Sequence, residues 1–321
     1  MKLRALLVAL TLVITSVLPT NADERVPKVA VAYDIGFLGD NSFNDAVNVA
    51  LTQAKKKYKL VEPFVREVPT NGTAVDRLTR LRFLAKSGYT LIIAVGPGYR
   101  ETVRRVSMEF TETQFALIND RVLGQLNISN IAFNEIQGAY LAGVVAAAQS
   151  RRKAVGFIGS EPELFASFRS GVRSVSTRVK VVNIPYPDEI SALKTGLSKI
   201  DVGYSTWDGD ATVLTTVLDD FAKKVLLILE TPDQYFARLT GAQSAVLAVV
   251  NKSMNKPIDE LVQAALADQS IIDVLNESAG VYGREYSVTN GGVTVSLSAQ
   301  ASRTTRNQLT KAISQLKKAT N

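Results

Sequence analysis

Apolar and polar positions along this chain fall into two alternating textures. Lys28–Tyr33 (KVAVAY) is a short apolar run ending in Asp34-Ile35-Gly36, the pattern of a buried strand followed by a turn. Beyond it Phe43, Val47, Leu51, Ala54 and Tyr58 recur at three- and four-residue steps, one face of an amphipathic helix. A strand over Leu60–Val65 comes next, then a helix capped by Asn71-Gly72-Thr73 with Val75, Leu78, Leu81 and Leu84 on one side. Leu91–Val95 and Phe115–Ile118 are further apolar strands, stopped by Gly96-Pro97-Gly98 and by Asn119-Asp120. Continuous apolar strands alternating with amphipathic helices predict a parallel sheet covered on both faces.

The pattern then restarts. Asn134–Ala148 is a helix rich in small residues (Gly138, Ala139, Ala142, Gly143, Ala146), suited to close packing. Ala154–Ile158, Val179–Ile184, Val202–Ser205 and Val225–Leu229 read as strands, with a helix over Leu164–Val175. Tyr282–Leu297 changes to β alternation, with Asn290-Gly291 as the turn of a hairpin. A last helix runs over about Gln300–Lys318. No low-complexity linker divides the halves. The expected class is therefore α/β, with two doubly wound, multiply connected lobes: the first from about 27–130 and 239–276, the second from about 131–238 and 277–321.

Composition narrows the chemistry. In 321 residues there is no Cys and no His, which excludes disulfides, thiol nucleophiles, Cys₂His₂-type zinc sites and His-based triads. An enzyme would have to work with carboxylates, Lys, Tyr or Ser, so no catalytic residue, metal or cofactor is assigned. Lys2 and Arg4 precede an uncharged, mostly apolar run from Ala5 to Leu18, followed by Pro19 and by small residues at Thr20 and Ala22. That is a secretory signal cleaved after Ala22, the run being short for a span of about 20 apolar residues; the alternative is an uncleaved anchor. Cleavage changes the net charge from +7 to +5. The excess reads as thinly spread, and Lys55-Lys56-Lys57 and Arg151-Arg152-Lys153 as solvated helix ends or loops rather than nucleic-acid or lipid sites.

Ligands of open α/β sheets bind beyond the carboxyl ends of the strands. The polar and aromatic residues there are Asp34, Gly96-Pro97-Gly98, Asp120, Gly159-Ser160, Thr206-Trp207-Asp208 and Thr231-Pro232-Asp233-Gln234. Several carboxylates beside an aromatic wall suit a neutral polyhydroxy ligand bearing a flat ring, and repel phosphate. The alternative for each acid is a helix cap. In the run Asp34–Asn44, Phe43 offers a ring face and Asn44 an amide that reads an edge, unless Phe43 is simply core. Asp34, Asp40 and Asp120 as calcium ligands are a weaker alternative.

The run D-x-G-x-x-x-D-x-S-F-N at Asp34–Asn44, the Asn119-Asp120 strand end, and the block Asn134-Glu135-Ile136-Gln137-Gly138-Ala139-Tyr140-Leu141-Ala142-Gly143 leading into Val155–Gly159 resemble one family. It is the basic membrane protein (PnrA-like) group, extracytoplasmic purine-nucleoside receptors of ABC importers. The resemblance is dense over residues 28–175 and thin after about 200. It implies a type I periplasmic-binding fold closing over a ligand, an ABC permease as partner, export beyond the cytoplasmic membrane, and a monomer. On these positions Phe43 would stack on the base, Asn44 and Asp120 would contact it, and Asp233 would bind ribose hydroxyls. Asp34 and Gly96 would line the mouth, with Trp207 facing the cleft from the second lobe, or Phe165 in its place. Three features differ from the family: no N-terminal lipid-bearing Cys, no Lys in Thr240–Ser244, and Thr206-Trp207-Asp208-Gly209-Asp210 where a Gly-rich strand end is usual. An envelope surface or sensor protein that keeps the fold with altered or lost ligand binding is the alternative.

Overall fold

Short apolar runs become strands buried on both faces: β1 (Val29–Ala32) and β3 (Leu91–Val95) have no exposed position. The computed structural model describes residues 27–35, 37–40, 42–185, 190–206, 224–232 and 242–319. From the start, the chain runs β1, α1 (Phe43–Tyr58), β2 (Val65–Val68), α2 (Ala74–Lys86), β3, α3 (Arg100–Glu109), β4 (Gln114–Ile118) and β5 (Ile128–Phe133). It continues with α4 (Glu135–Gln149), β6 (Ala154–Ile158), α5 (Pro162–Val175), β7 (Lys180–Ile184), α6 (Ile190–Ser198), β8 (Val202–Ser205) and β9 (Leu226–Thr231). The last described stretch holds β10 (Val246–Lys252), α7 (Asn255–Leu266), β11 (Val274–Asn276), β12 (Val281–Tyr286), β13 (Val293–Leu297) and α8 (Arg303–Ala319). One sheet has the order β11-β12-β5-β4-β3-β1-β2 and the other β13-β10-β9-β8-β6-β7. Each is parallel except at one edge, β11 on β12 and β13 on β10.

Several expectations are corrected. Residues 61–64 form a turn, with Phe64 N–H donating to Val61 O at 2.8 Å, so the second strand starts at Val65, beyond Pro63, which has no N–H for a ladder. β5 went unpredicted because Ser129 and Asn130 interrupt its apolar run, yet both are buried. The Asn130 amide donates to Leu123 O (2.6 Å) and Tyr282 O (2.7 Å), which offsets the cost of burying it. Tyr282–Leu297 is not a hairpin: β12 lies parallel to β5 in one sheet, and β13 lies antiparallel to β10 in the other. The expected segmentation changes accordingly. β10, within 239–276, belongs to the second sheet, and β12, within 277–321, belongs to the first. The chain thus crosses between sheets after β5, after β10 and after β12.

The block Asn134–Gly143 sits where these crossings meet. Asn134 caps α4 by accepting from Gln137 N–H (3.0 Å), and its amide donates to Glu285 Oε2 (2.8 Å) on β12. Gln137 Oε1 accepts from Val288 N–H at 2.9 Å in the third crossing. Further along, α4 and α5 cross at backbone contact: a Cβ on Gly143 would lie 2.1 Å from Phe168 O, and one on Gly171 2.0 Å from Tyr140 O. No helix among the described residues is long and apolar enough to cross a membrane.

Candidate ligand cleft

The carboxyl ends of β4, β5 and β6 enclose a cleft of about 940 Å³ between the two sheets. Asp120 and Arg100 stand on its first-lobe wall, Ser160, Glu161 and Glu163 on the second, and Glu135 at the crossing between them. A second cavity, of about 840 Å³, lies at the opposite end of β3 and β4 beside α7, away from every predicted contact residue.

Asp120 follows β4 and points its carboxylate inward, with its side chain 2% exposed. Oδ2 accepts from Arg100 Nε at 2.7 Å, and Oδ1 accepts from Val122 N–H at 2.8 Å. Arg100 opens α3 directly after the Gly96-Pro97-Gly98 loop and is 43% exposed. The wall predicted to offer a bare acceptor therefore presents a guanidinium instead.

Asp34 is similarly engaged. Its Oδ1 accepts from Arg77 Nε (3.0 Å) and Nη2 (2.5 Å), and this pair lies against the glycine loop. Gly96 has φ +99°, and a Cβ there would stand 2.9 Å from Asp34 Oδ2; one on Gly98 would stand 2.5 Å from Asp34 Oδ2 and from Arg77 Nη2. Both glycines serve the ion pair's close approach, and Gly96 also a backbone conformation that side-chain-bearing residues avoid. Asn44 is buried at 3%. Its Oδ1 accepts from Asp34 N–H at 3.3 Å, and its amide spans Asp34 O and Ile35 O, so it clamps the loop after β1. Asp40 caps α1: Oδ1 accepts from the N–H of Ser42 (2.9 Å) and Asp45 (3.1 Å), and Oδ2 from that of Asn44 (3.1 Å). For Asp40 the capping alternative describes what is seen. No group of three acidic side chains placed to hold a metal occurs among the described residues.

Phe43 stands where the two lobes touch. Ser42 Oγ donates to Pro232 O, at the end of β9, across a 2.6 Å contact. Lys252, the last residue of β10, holds its ammonium 6.0 Å above the Phe43 ring and donates to Glu135 Oε1 at 2.5 Å, with its side chain 3% exposed. The strand that follows Thr240–Ser244 thus brings a lysine onto the cleft-lining Glu135. The strand-end rule, applied to Val246–Lys252, finds it; the reading missed it because it assigned no strand there. Arg77 and Arg100 carry no such signal, because each reaches its acid from a helix 43 or 20 residues along the chain. Glu230, buried at the end of β9, accepts from the Tyr204 hydroxyl and was also missed. Phe165 packs on Phe157 (centroids 5.6 Å apart) beneath the Arg169 guanidinium. Trp207 and Asp233 lie outside the described residues.

Comparison with known proteins agrees with this architecture. A Conexibacter woesei ABC transporter solute-binding protein superposes with a TM-score of 0.67 at 15% identity, covering 92% of this chain and 97% of that one. A Bacillus halodurans protein described as a transcriptional activator of the comK gene gives 0.71 at 18%, covering 92% and 99%. The two sheets are those of the type I periplasmic-binding fold. In sequence, the chain is 24% identical over 186 residues to the ABC transporter nucleoside-binding protein BmpA of Lactococcus lactis, covering 56% of this chain and 53% of that protein. It spans about half the length of the curated relatives it matches. The family model described as ABC transporter substrate-binding protein PnrA-like matches residues 27–187, half of the chain, including β1 to β7 and the crossing after β5. The chain belongs to the PnrA-like family of ABC transporter substrate-binding proteins.

Proposed function

We propose that the protein is an exported solute receptor of an ABC importer, holding a purine nucleoside between its lobes and delivering it, as a monomer, to a membrane permease. The observation that supports this most is the cleft itself, walled by strand ends of both sheets; Phe43 stands outside its lining and connects to it through Lys252 and the lining residue Glu135. In this reading Phe43 stacks on the base and Asp120 with Arg100 meets its edge. Lys252, Asp34 and Gly96 border the site, and Trp207 and Asp233 complete it from the second lobe. A nucleoside spanning both walls favours closure only by the extra contacts it makes in the closed state. The nucleoside-binding description of the Lactococcus relative points to the same ligand class. The family description points to binding rather than catalysis.

A second reading, a surface or sensor protein that keeps the fold, is favoured by one feature. The carboxylates of Asp34 and Asp120 and the Asn44 amide are already partnered inside the protein. Calorimetric titration with inosine, guanosine and adenosine, alongside sugars and amino acids, separates the two. Saturable one-to-one nucleoside binding supports the receptor. Binding of another solute alone retires the nucleoside, and no binding by any compound selects the second reading.

A further inference from the structure

Parallel strands all begin on one edge of their sheet, so residues far apart in sequence converge there. In the second sheet the neighbouring strands β9, β8, β6 and β7 begin at the pole opposite the cleft. Arg151-Arg152-Lys153 precedes β6, Arg178 and Lys180 flank the start of β7, Lys199 precedes β8, and Lys224 precedes β9. At a strand spacing of about 4.8 Å, these four starts span roughly 15 Å. Arg152, itself exposed, donates to the carbonyls of Ser198 (3.2 Å), the last residue of α6, and Ile200 (3.1 Å). The other six cations are exposed and make no ion pair among the described residues. Among the described residues, the one acid in these loops is Asp201. Its Oδ1 accepts from Ser150 Oγ (2.6 Å), and its Oδ2 from the N–H groups of Arg151 and Arg152 (2.8 Å each). It folds the loop that displays Arg151 and Lys153, and its single charge offsets only one of the seven cations.

The corresponding edge of the first sheet mixes Lys28, Lys59 and Lys86 with Glu62, Glu112 and Asp268. Among the described residues, cations therefore outnumber acids at the strand starts of the second sheet but not at those of the first. Lysine on an edge strand also discourages sheet-to-sheet aggregation, which accounts for Lys180 on β7. It does not account for Arg151, Lys153, Lys199 and Lys224, which precede interior strands. Among the described residues, these loops hold no aromatic side chain on which a nucleic-acid base could stack.

We propose that this pole docks on an anionic lipid bilayer, its six free cations facing the headgroups. The attraction is electrostatic, with each Lys or Arg near an anionic surface strengthening partitioning about fivefold, within a Debye length of about 10 Å at 0.1 M salt. The test is sedimentation of the purified protein with vesicles of phosphatidylcholine alone or mixed with phosphatidylglycerol, at about 0.1 M and about 1 M salt. Binding is expected only to the anionic vesicles at the lower salt. The variant Arg151→Glu/Lys153→Glu/Lys199→Glu should bind about 100-fold more weakly, or less still, since each reversal does more than remove a charge. Lys56→Glu/Lys59→Glu/Lys86→Glu, three reversals on the first lobe, should retain most of the binding; circular dichroism confirms that both variants are folded. Equal losses in the two variants would show that net charge, not this pole, is responsible. Failure to bind anionic vesicles, with or without retention on DNA or heparin, also overturns the proposal.

Discussion

Replacing Arg100 by Met tests the central feature of the cleft wall. Methionine keeps much of the side chain's length and removes the charge. Asp120 then retains the Val122 N–H on Oδ1 and loses the 2.7 Å charge-assisted bond on Oδ2. A buried acceptor left without a donor costs about 1–3 kcal/mol, more when it is charged. A fully buried pair broken from one side costs about 3–5 kcal/mol. Here only the acid is buried; Arg100 is 43% exposed, so its contribution is screened and the lower range applies. We expect Arg100→Met to lose about 2 kcal/mol in urea unfolding with an unchanged denaturant slope. Asp120→Asn removes the charge that Arg100 satisfies, so the double variant should be less destabilised than the two single losses added together, by at least about 1 kcal/mol. Arg100→Met also leaves a carboxylate oxygen of Asp120 as an unpaired acceptor at the cleft. Ligands bearing donors at that edge should gain relative to ligands bearing acceptors. A stability within about 0.5 kcal/mol of the parent, together with additive double-variant losses, would refute the claim that Arg100 holds Asp120.

Other consequences are equally direct. Gly171→Ala would ordinarily stabilise a helix interior by about 1 kcal/mol, but its Cβ would stand 2.0 Å from Tyr140 O, so urea unfolding should show a loss of about 2 kcal/mol. Phe43→Ala should weaken nucleoside binding by tens of fold, from about 1–3 kcal/mol of stacking; an affinity within twofold of the parent would remove Phe43 from the site. Arg80, with the Asn71 N–H and Thr70 hydroxyl, lowers the Asp76 pKa to about 2. Its folded-state pKa lies below the unfolded value, so its contribution is present above about pH 4 and is shed as pH falls towards 2. In Asp76→Asn, that segment of the acid-unfolding curve should flatten.

Many of the strands were legible because a strand buried on both faces needs an unbroken apolar run, and β1, β3 and β6 supply one. β5 hid because its Asn130 is affordable only through acceptors at Leu123 and Tyr282, the latter 152 residues away. The Asn290-Gly291 turn was misread for a related reason. A local turn signal records a change of direction and carries no information about which sheet edge receives the next strand. Tyr286 ends a strand paired with β5, and Val293 begins one paired with β10.

For the candidate site, sequence alone determined where to look, since an apolar strand announces its own end, and Asp34, Phe43, Gly96 and Asp120 all stand beyond such ends. The tertiary structure decided what those residues have available. Arg77 occupies Asp34, Arg100 occupies Asp120, and Lys252 lies over Phe43, each brought from another element. It also gathered cations from four separated loops onto one pole. The physical reason is common to both: burial and periodicity act on neighbours in the chain, whereas charge pairing acts through space, between residues that only the packed sheets and helices bring together.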